Sequence, residues 1–287
     1  MSITASMVKE LREKTGAGML DCKKALEETN GDMEESIVWL RKKGLASAGK
    51  KAGRETSEGV IAAFVDGNHA TIIELSSETD FVGKNEKFLQ LADSLVKSAH
   101  NFKGDVISEF LTSHHGKATI ADLIAEHIAV IGENIILKKL KKISVPHGKI
   151  IPYFHNRLTD NIGKIGVVVA FEGEVNEEVE EFGKQLAMHI AALKPLALSK
   201  SSLDANVVEK EKDVLRAQAL GSGKPADVVE KMIEGRIRKF LEEIVLLEQP
   251  FVVDGKTKIK EIIEELQNKT KSNFTVSSYI RYEVGES

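Results

Sequence analysis

The chain has 287 residues, longer than one ordinary domain, so more than one structural unit is expected. Hydrophobic residues at 42% and charged residues at 29% describe a globular chain and exclude the low-hydrophobicity, high-charge balance of disorder. A formal net charge of -4 lacks the basic surplus of a general nucleic-acid binder, and Cys22 is the single cysteine, which rules out an internal disulfide or a cysteine metal cluster. That usage suits a reducing cytosol. No stretch approaches the roughly 20 apolar residues that span a bilayer. The opening MSITASMVKELREK reads as neither a signal nor a transit sequence, so the expected location is cytoplasmic.

From Thr4 to Leu40 the pattern predicts three short helices, broken at Gly16-Ala17-Gly18 and at Asn30-Gly31-Asp32. Gly31 is placed for a left-handed cap, and Asp32 with Glu35 matches a capping box. The stretch RKKGLASAGKKAGR that follows Leu40 is basic and small, which marks it as a linker with a domain boundary near Arg54. Residues 59–65 and 70–75 are β-rich runs around Asp66-Gly67-Asn68-His69, a hairpin signature, and a helix is expected over 85–100. Apolar residues at 123, 124, 128, 131 and 135 extend a second helical pattern over 119–142, and Pro146 closes the unit.

Residues 149–154 and 164–171 predict a second strand pair, followed by a helix over 177–193. The hairpin-then-helix order therefore occurs twice, which suggests a weak internal duplication. Residues 206–220 and 226–246 are both helical and break at Gly221 to Pro225, which predicts an antiparallel helical hairpin. Its apolar stripe, Val229, Ile233, Ile237, Phe240 and Ile244, is expected to pack mainly on the partner helix, with a contact surface as the alternative. The run 274–284 predicts a late strand.

Catalytic signatures are weak. The Gly221–Lys224 stretch fails as a phosphate-binding loop, because Gln218 stands where the first glycine belongs and Pro225 replaces the hydroxyl residue. His114 and His115 are adjacent and read as a surface loop, while the pairs Glu177/Glu178 and Glu264/Glu265 read as helix starts or solvated faces. Cys22 reads as packing. Two stretches stand out: the apolar pair Met19-Leu20 directly after a Gly-Ala-Gly turn, with Lys23 and Lys24 a turn later, and SETDFV over 77–82. In the second, Phe81 could staple a helix start that Thr79 or Asp80 caps.

The stretch from Thr4 to Asp32, TDFV at 79–82, IGENI at 131–135, AMHIAALKP at 187–195, SGKP and EKMIEGR within 222–236, and QPFV at 249–252 together resemble the elongation factor Ts family, in that family's order. The resemblance implies an α+β fold with a three-helix, ubiquitin-associated-like docking domain and linker over 1–54. A core N-subdomain over 55–146 and a related core C-subdomain over 147–199 plus 247–287 would follow, with an inserted helical hairpin over 200–246. It further implies a non-enzymatic guanine nucleotide exchange factor for elongation factor Tu, with no cofactor, no direct nucleic-acid contact and no membrane.

Residue by residue, Met19, Leu20 and Lys23 fall on the partner-binding motif of the first domain. Thr79, Asp80, Phe81 and Val82 fall on the element that dislodges magnesium from the partner, which takes Phe81 away from the staple role. His155 and Val252 match positions that touch other parts of the partner, although 156–161 looks like an insertion beside His155. Family members of the enteric type continue into a C-terminal helical module, and this chain stops at Ser287. Residues 101–117 fit the family poorly and receive no role. Self-association through the hairpin stays open. An enzyme built on scattered carboxylates and histidines, and an adaptor acting through residues 1–54 alone, are the competing classes.

Overall fold

The computed structural model describes residues 3–116, 118–219 and 225–286. Three helices come first: α1 (Ala5–Thr15), α2 (Met19–Glu28) and α3 (Met33–Lys51). Thr4 caps α1 by accepting from the Met7 amide, and Gly16 ends it in the left-handed conformation at φ 68°. Gly31 is also left-handed, and the Asp32 carboxylate accepts the Glu35 amide at 2.8 Å. Val8, Leu11, Cys22, Ala25 and Leu26 form the small core between these helices. Cys22 is buried there, which matches the packing expectation.

The expected linker is helical. α3 runs on through the Arg41–Lys51 stretch, because that stretch has a surface to pack on. Gly44 is buried against a later helix, where a Cβ would lie 3.2 Å from the Ala129 Cβ, and Ala48 packs on the main core. Small residues here mark a close helix crossing, not a flexible tether.

Next come β1 (Glu58–Asp66), β2 (His69–Ser77), a one-turn helix α4 (Asp80–Gly83), α5 (Glu86–Asn101), α6 (Ile107–Thr112), a two-residue hairpin β3 (His114–His115) and β4 (Ala118–Thr119), and α7 (Ile120–Ile131). The expected long helix over 119–142 is wrong in its second half. Gly132 stops α7 in the left-handed conformation, and β5 (Ile135–Ser144) follows. Leu137, Leu140 and Ile143 imitate helical spacing for a local reason. A register shift opposite Glu74/Leu75 changes the parity of β5, and Ile143 then faces a different core cluster from Leu137 and Leu140.

The second half contains β6 (Gly148–Thr159), β7 (Ile162–Gly173), α8 (Glu177–Leu193), the hairpin helices α9 (Ala205–Ala219) and α10 (Ala226–Ile244), α11 (Ile259–Thr270) and β8 (Phe274–Glu283). The hairpin break at Gly221–Lys224 lies outside the described residues. The residues 156–161 that looked like an insertion form the tip of the β6–β7 hairpin, where Asn156 is left-handed at φ 49° and the register shifts between Arg157 and Thr159. The expected late strand is β8, which pairs along β7 from Ile165 to Gly173.

Among the described residues the six long strands belong to one antiparallel sheet, ordered β5-β2-β1-β7-β6 with β8 also on β7. The two hairpins meet where β1 touches the start of β7, at Ile61–Gly163 and Ala62–Ile162. Alternation along the strands explains the layers. Val60 and Ala62 face α5 and α7, while Val167, Val169 and Phe171 face α8 and α11. Ile61, Ala63, Val168 and Ala170 look the other way and share a third cluster between the two halves of the sheet. Both faces of β1 and β7 are therefore buried, which is why they read as continuous apolar runs. α8 lies close on its strands because Gly183 has no Cβ, which would sit 2.2 Å from Ile151 Cδ1.

The helical hairpin has its own core of Leu215, Ile233 and Ile237, so its stripe packs mainly on the partner helix. The last residues of the expected 200–246 insertion pack on the main core. Val245 bridges Ala197, and Leu246 is fully buried in the main core beside Phe251 and Ile259. Removing 205–241 and joining Asp204 to Glu242 through a short linker is expected to leave a cooperatively melting core, since the three buried residues lost touch chiefly one another. Differential scanning calorimetry checks this, and a product without a cooperative transition would contradict it.

Candidate functional site

Met19 and Leu20 open α2 directly after the Gly16–Gly18 turn, with side chains 57% and 82% exposed. Neither belongs to the bundle core. Lys23 is exposed one turn on and pairs with Glu27 at 3.7 Å, leaving its charge accessible. The turn leans on the main core: a Cβ at Gly16 would lie 2.9 Å from Lys87 Nζ on α5 and 3.9 Å from Val130 on α7.

The loop after β2 carries Thr79, Asp80, Phe81 and Val82. The staple reading of Phe81 is incorrect, because its ring is 81% exposed and its neighbour Val82 is the residue buried in the core. Thr79 does not cap α4 with its side chain. Its hydroxyl and amide instead donate to the Glu133 carboxylate at 2.6 and 2.9 Å. Asp80 pairs with Lys84 at 3.3 Å across one turn, and this exposed pair contributes little to stability. The arrangement holds an aromatic ring outward on a one-turn helix anchored from below.

His155 lies exposed on β6 with Nδ1 at 3.3 Å from the Tyr153 hydroxyl. Its register partner is Ile165, and the preceding Lys164 has its Nζ within 3.4 Å of where a Gly83 Cβ would stand. His155 and the Thr79–Val82 loop thus approach the same end of β7. Val252, 43% exposed, sits elsewhere, in the loop between α10 and α11 beside the equally outward Val253. Sequence reasoning missed Val253, although it continues the apolar run Phe251-Val252-Val253.

His189 fixes that loop from beneath. Its Nδ1 accepts the Val252 amide at 3.1 Å and its Nε2 donates to the Gln249 side-chain oxygen Oε1 at 2.8 Å, which requires the proton on Nε2 and a neutral ring. Burial holds the imidazole below its ordinary 6.5, against the raising effect of the Gln249 hydrogen bond. The unfolded chain then binds a proton that the folded chain refuses. Stability is fully present above the unfolded value of 6.5 and is lost as pH falls below it toward the depressed folded value. Melting temperature is therefore expected to fall between about pH 7 and pH 5 with a slope that His189→Gln flattens. An identical slope in the variant would contradict the neutral ring.

Among the described residues no group of three His, Cys, Asp or Glu could hold a metal ion, and no helix is long and apolar enough to cross a membrane. His114 and His115 are exposed on β3, with His115 Nδ1 2.9 Å from the Ser98 hydroxyl. The cleft between α3 and α7, about 330 Å³, is lined by charges already paired, Arg41 with Glu126 and Lys43 with Asp21. What the surface offers is a set of outward apolar side chains on fixed supports, a chemistry of contact.

The profile of a family described as Elongation factor TS matches residues 78–286. The chain belongs to the elongation factor Ts family. Elongation factor Ts of Zymomonas mobilis subsp. mobilis is 43% identical over 285 residues, covering 99% of this chain and 93% of that protein. The Rhizorhabdus wittichii protein of the same name is 45% identical over 285 residues, with 99% and 93% coverage. That of Agrobacterium fabrum is 46% identical over 287 residues, with the same coverage. Membership places the chain among translation elongation factors, and it applies to the α+β core and the helical bundle alike, since these relatives match nearly end to end.

Proposed function

We propose that the chain is a guanine nucleotide exchange factor that acts on elongation factor Tu in the cytoplasm and neither makes nor breaks a covalent bond. The observation that carries this reading is Phe81, an aromatic ring held almost fully in solvent by a turn that the core anchors on both sides. A partner that covers such a ring gains the free energy of burying it. In this reading residues 1–54 dock on the GTPase through Met19 and Leu20, with Lys23 as a charge at the rim. Thr79, Asp80, Phe81 and Val82 then reach toward the partner's nucleotide site and favour a conformation that holds magnesium and the β-phosphate badly. His155 and Val252 brace the core against other parts of the partner.

The division of labour follows the chain: 55–146 and 147–199 plus 247–287, joined by the buried Val245 and Leu246, form the body that carries these contacts, and the helical hairpin stands apart from them. The test is release of a fluorescent GDP analogue from elongation factor Tu, chased with unlabelled GDP. Catalytic amounts of the chain are expected to accelerate release. Release at the spontaneous rate would contradict the proposal.

A further inference from the structure

The segment Ile131–Ile135 takes no part in the contacts proposed above, yet it ties together parts of the molecule that are distant in sequence. Gly132 ends α7 at φ 92°, a conformation that favours glycine, and this turn delivers Glu133 to the Phe81 loop. Both Glu133 oxygens are used, one on the Thr79 amide and one on the Thr79 hydroxyl. Asn134, which is buried, donates its amide to Glu78 Oε1 at 2.6 Å and its side-chain nitrogen to the Arg54 carbonyl at 3.0 Å. Glu133 and Asn134 thus clasp the start of the loop, at Glu78 and Thr79, and the chain leaving the docking domain.

The same helix carries the docking domain at its other positions. Arg41 on α3 pairs with Glu126 at 2.6 Å, and Gly44 lies against Ala129. Val130 faces the Gly16 turn that precedes Met19. α7 and the turn after it therefore support both proposed contact points. Support matters because α4 has only four residues, and so short a helix does not persist alone. Glu133 supplies both side-chain acceptors that hold Thr79, and without them the loop start keeps the Asn134–Glu78 bond and the Ser77 hydroxyl bond to the Thr79 carbonyl, while Val82 stays buried at its other end.

We infer that Glu133 is a positioning residue for nucleotide exchange, which presents the Phe81 ring by binding Thr79. The inference rests on the exchange reading above. Glu133 itself need not touch the partner. Glu133→Gln keeps a carbonyl oxygen that accepts one Thr79 donor, whereas Glu133→Ala keeps none.

The experiment measures stimulated release of fluorescent GDP from elongation factor Tu at saturating factor, with complex affinity and a melting curve for each variant. Glu133→Ala is expected to slow release roughly five- to tenfold, as misplacement of a positioning contact does, with affinity and melting near those of the parent. Glu133→Gln should recover most of the rate. In a Phe81→Ala background, Glu133→Ala should add less than about twofold, because both changes act through one element. Full additivity, or a glutamine variant as slow as the alanine one, would overturn the inference. A parent rate for Glu133→Ala beside a slow Phe81→Ala overturns the positioning role alone. Parent rates for both overturn the exchange reading with it. Should Glu133→Ala melt early, Thr79→Val removes only the hydroxyl donor, and a parent rate in that folded variant together with a parent rate in Glu133→Gln would again overturn it.

Discussion

Phe81→Ala is expected to slow stimulated GDP release by about ten- to a hundredfold while leaving the melting temperature nearly unchanged. Both halves follow from where the ring is. It is 81% exposed in the free protein and absent from every core cluster, so truncation removes little that holds the fold. Covering a phenylalanine side chain in a partner is worth about 1.5–3 kcal/mol, and each 1.4 kcal/mol is a factor of ten. If the ring is covered only in the nucleotide-poor partner conformation, that free energy enters the exchange rate and not merely the affinity. The rate should stay low even at saturating factor. Asp80→Ala should cost less, because its carboxylate is already paired with Lys84 at the surface. A Phe81→Ala protein that melts early, with its folded fraction exchanging at the parent rate, would restore the stapling role.

Met19→Ala combined with Leu20→Ala is expected to act in a different way. These side chains are also outside their domain's core, which Val8, Leu11, Cys22, Ala25 and Leu26 supply. Alanine suits the first turn of a helix, so α2 should persist. Truncating two apolar side chains at the centre of an interface costs about 2–4 kcal/mol together, or roughly 30- to 1,000-fold in Kd. If the pair serves docking alone, enough of the variant should bring release back to the parent rate. Isothermal titration calorimetry and stopped-flow release at rising concentrations separate the two quantities. An unfolded bundle by circular dichroism would make the pair structural, and an unchanged Kd would remove it from the interface.

The difference between these variants bears on what a sequence can show. Helices 177–193 and 226–244 were legible because a buried face repeats every three or four residues and solvent lies opposite. β5 was not, because a bulge and a change of facing cluster gave Leu137, Leu140 and Ile143 a helical rhythm. The Arg41–Lys51 stretch misled for a related reason: small residues that signal a tether also signal a close helix crossing, and only the location of Ala129 decides between them. α11 was missed although Ile259, Ile262, Ile263 and Leu266 carried the pattern.

For the candidate site, local pattern alone favoured the wrong role at Phe81, since a staple and an exposed ring have the same sequence. Resemblance supplied the alternative, and the exposure of the ring beside buried Val82 removes the staple. The Glu133 contact with Thr79 spans 54 positions and has no local signature. Nor does the pairing of His189 with Val252, which depends on α8 and a loop 63 positions later meeting in one core. Such links are products of topology.

The central claim is thermodynamic and can be measured without any variant. A protein that weakens GDP binding to elongation factor Tu must itself be weakened by GDP to the same degree, because the two share one coupling free energy. The decisive measurement is a full binding square: the Kd of the chain for nucleotide-free and GDP-loaded elongation factor Tu, and the Kd of GDP with and without saturating chain. Two equal ratios, both far from one, are the predicted result. A chain that binds the free and GDP-loaded partner equally well would contradict the account.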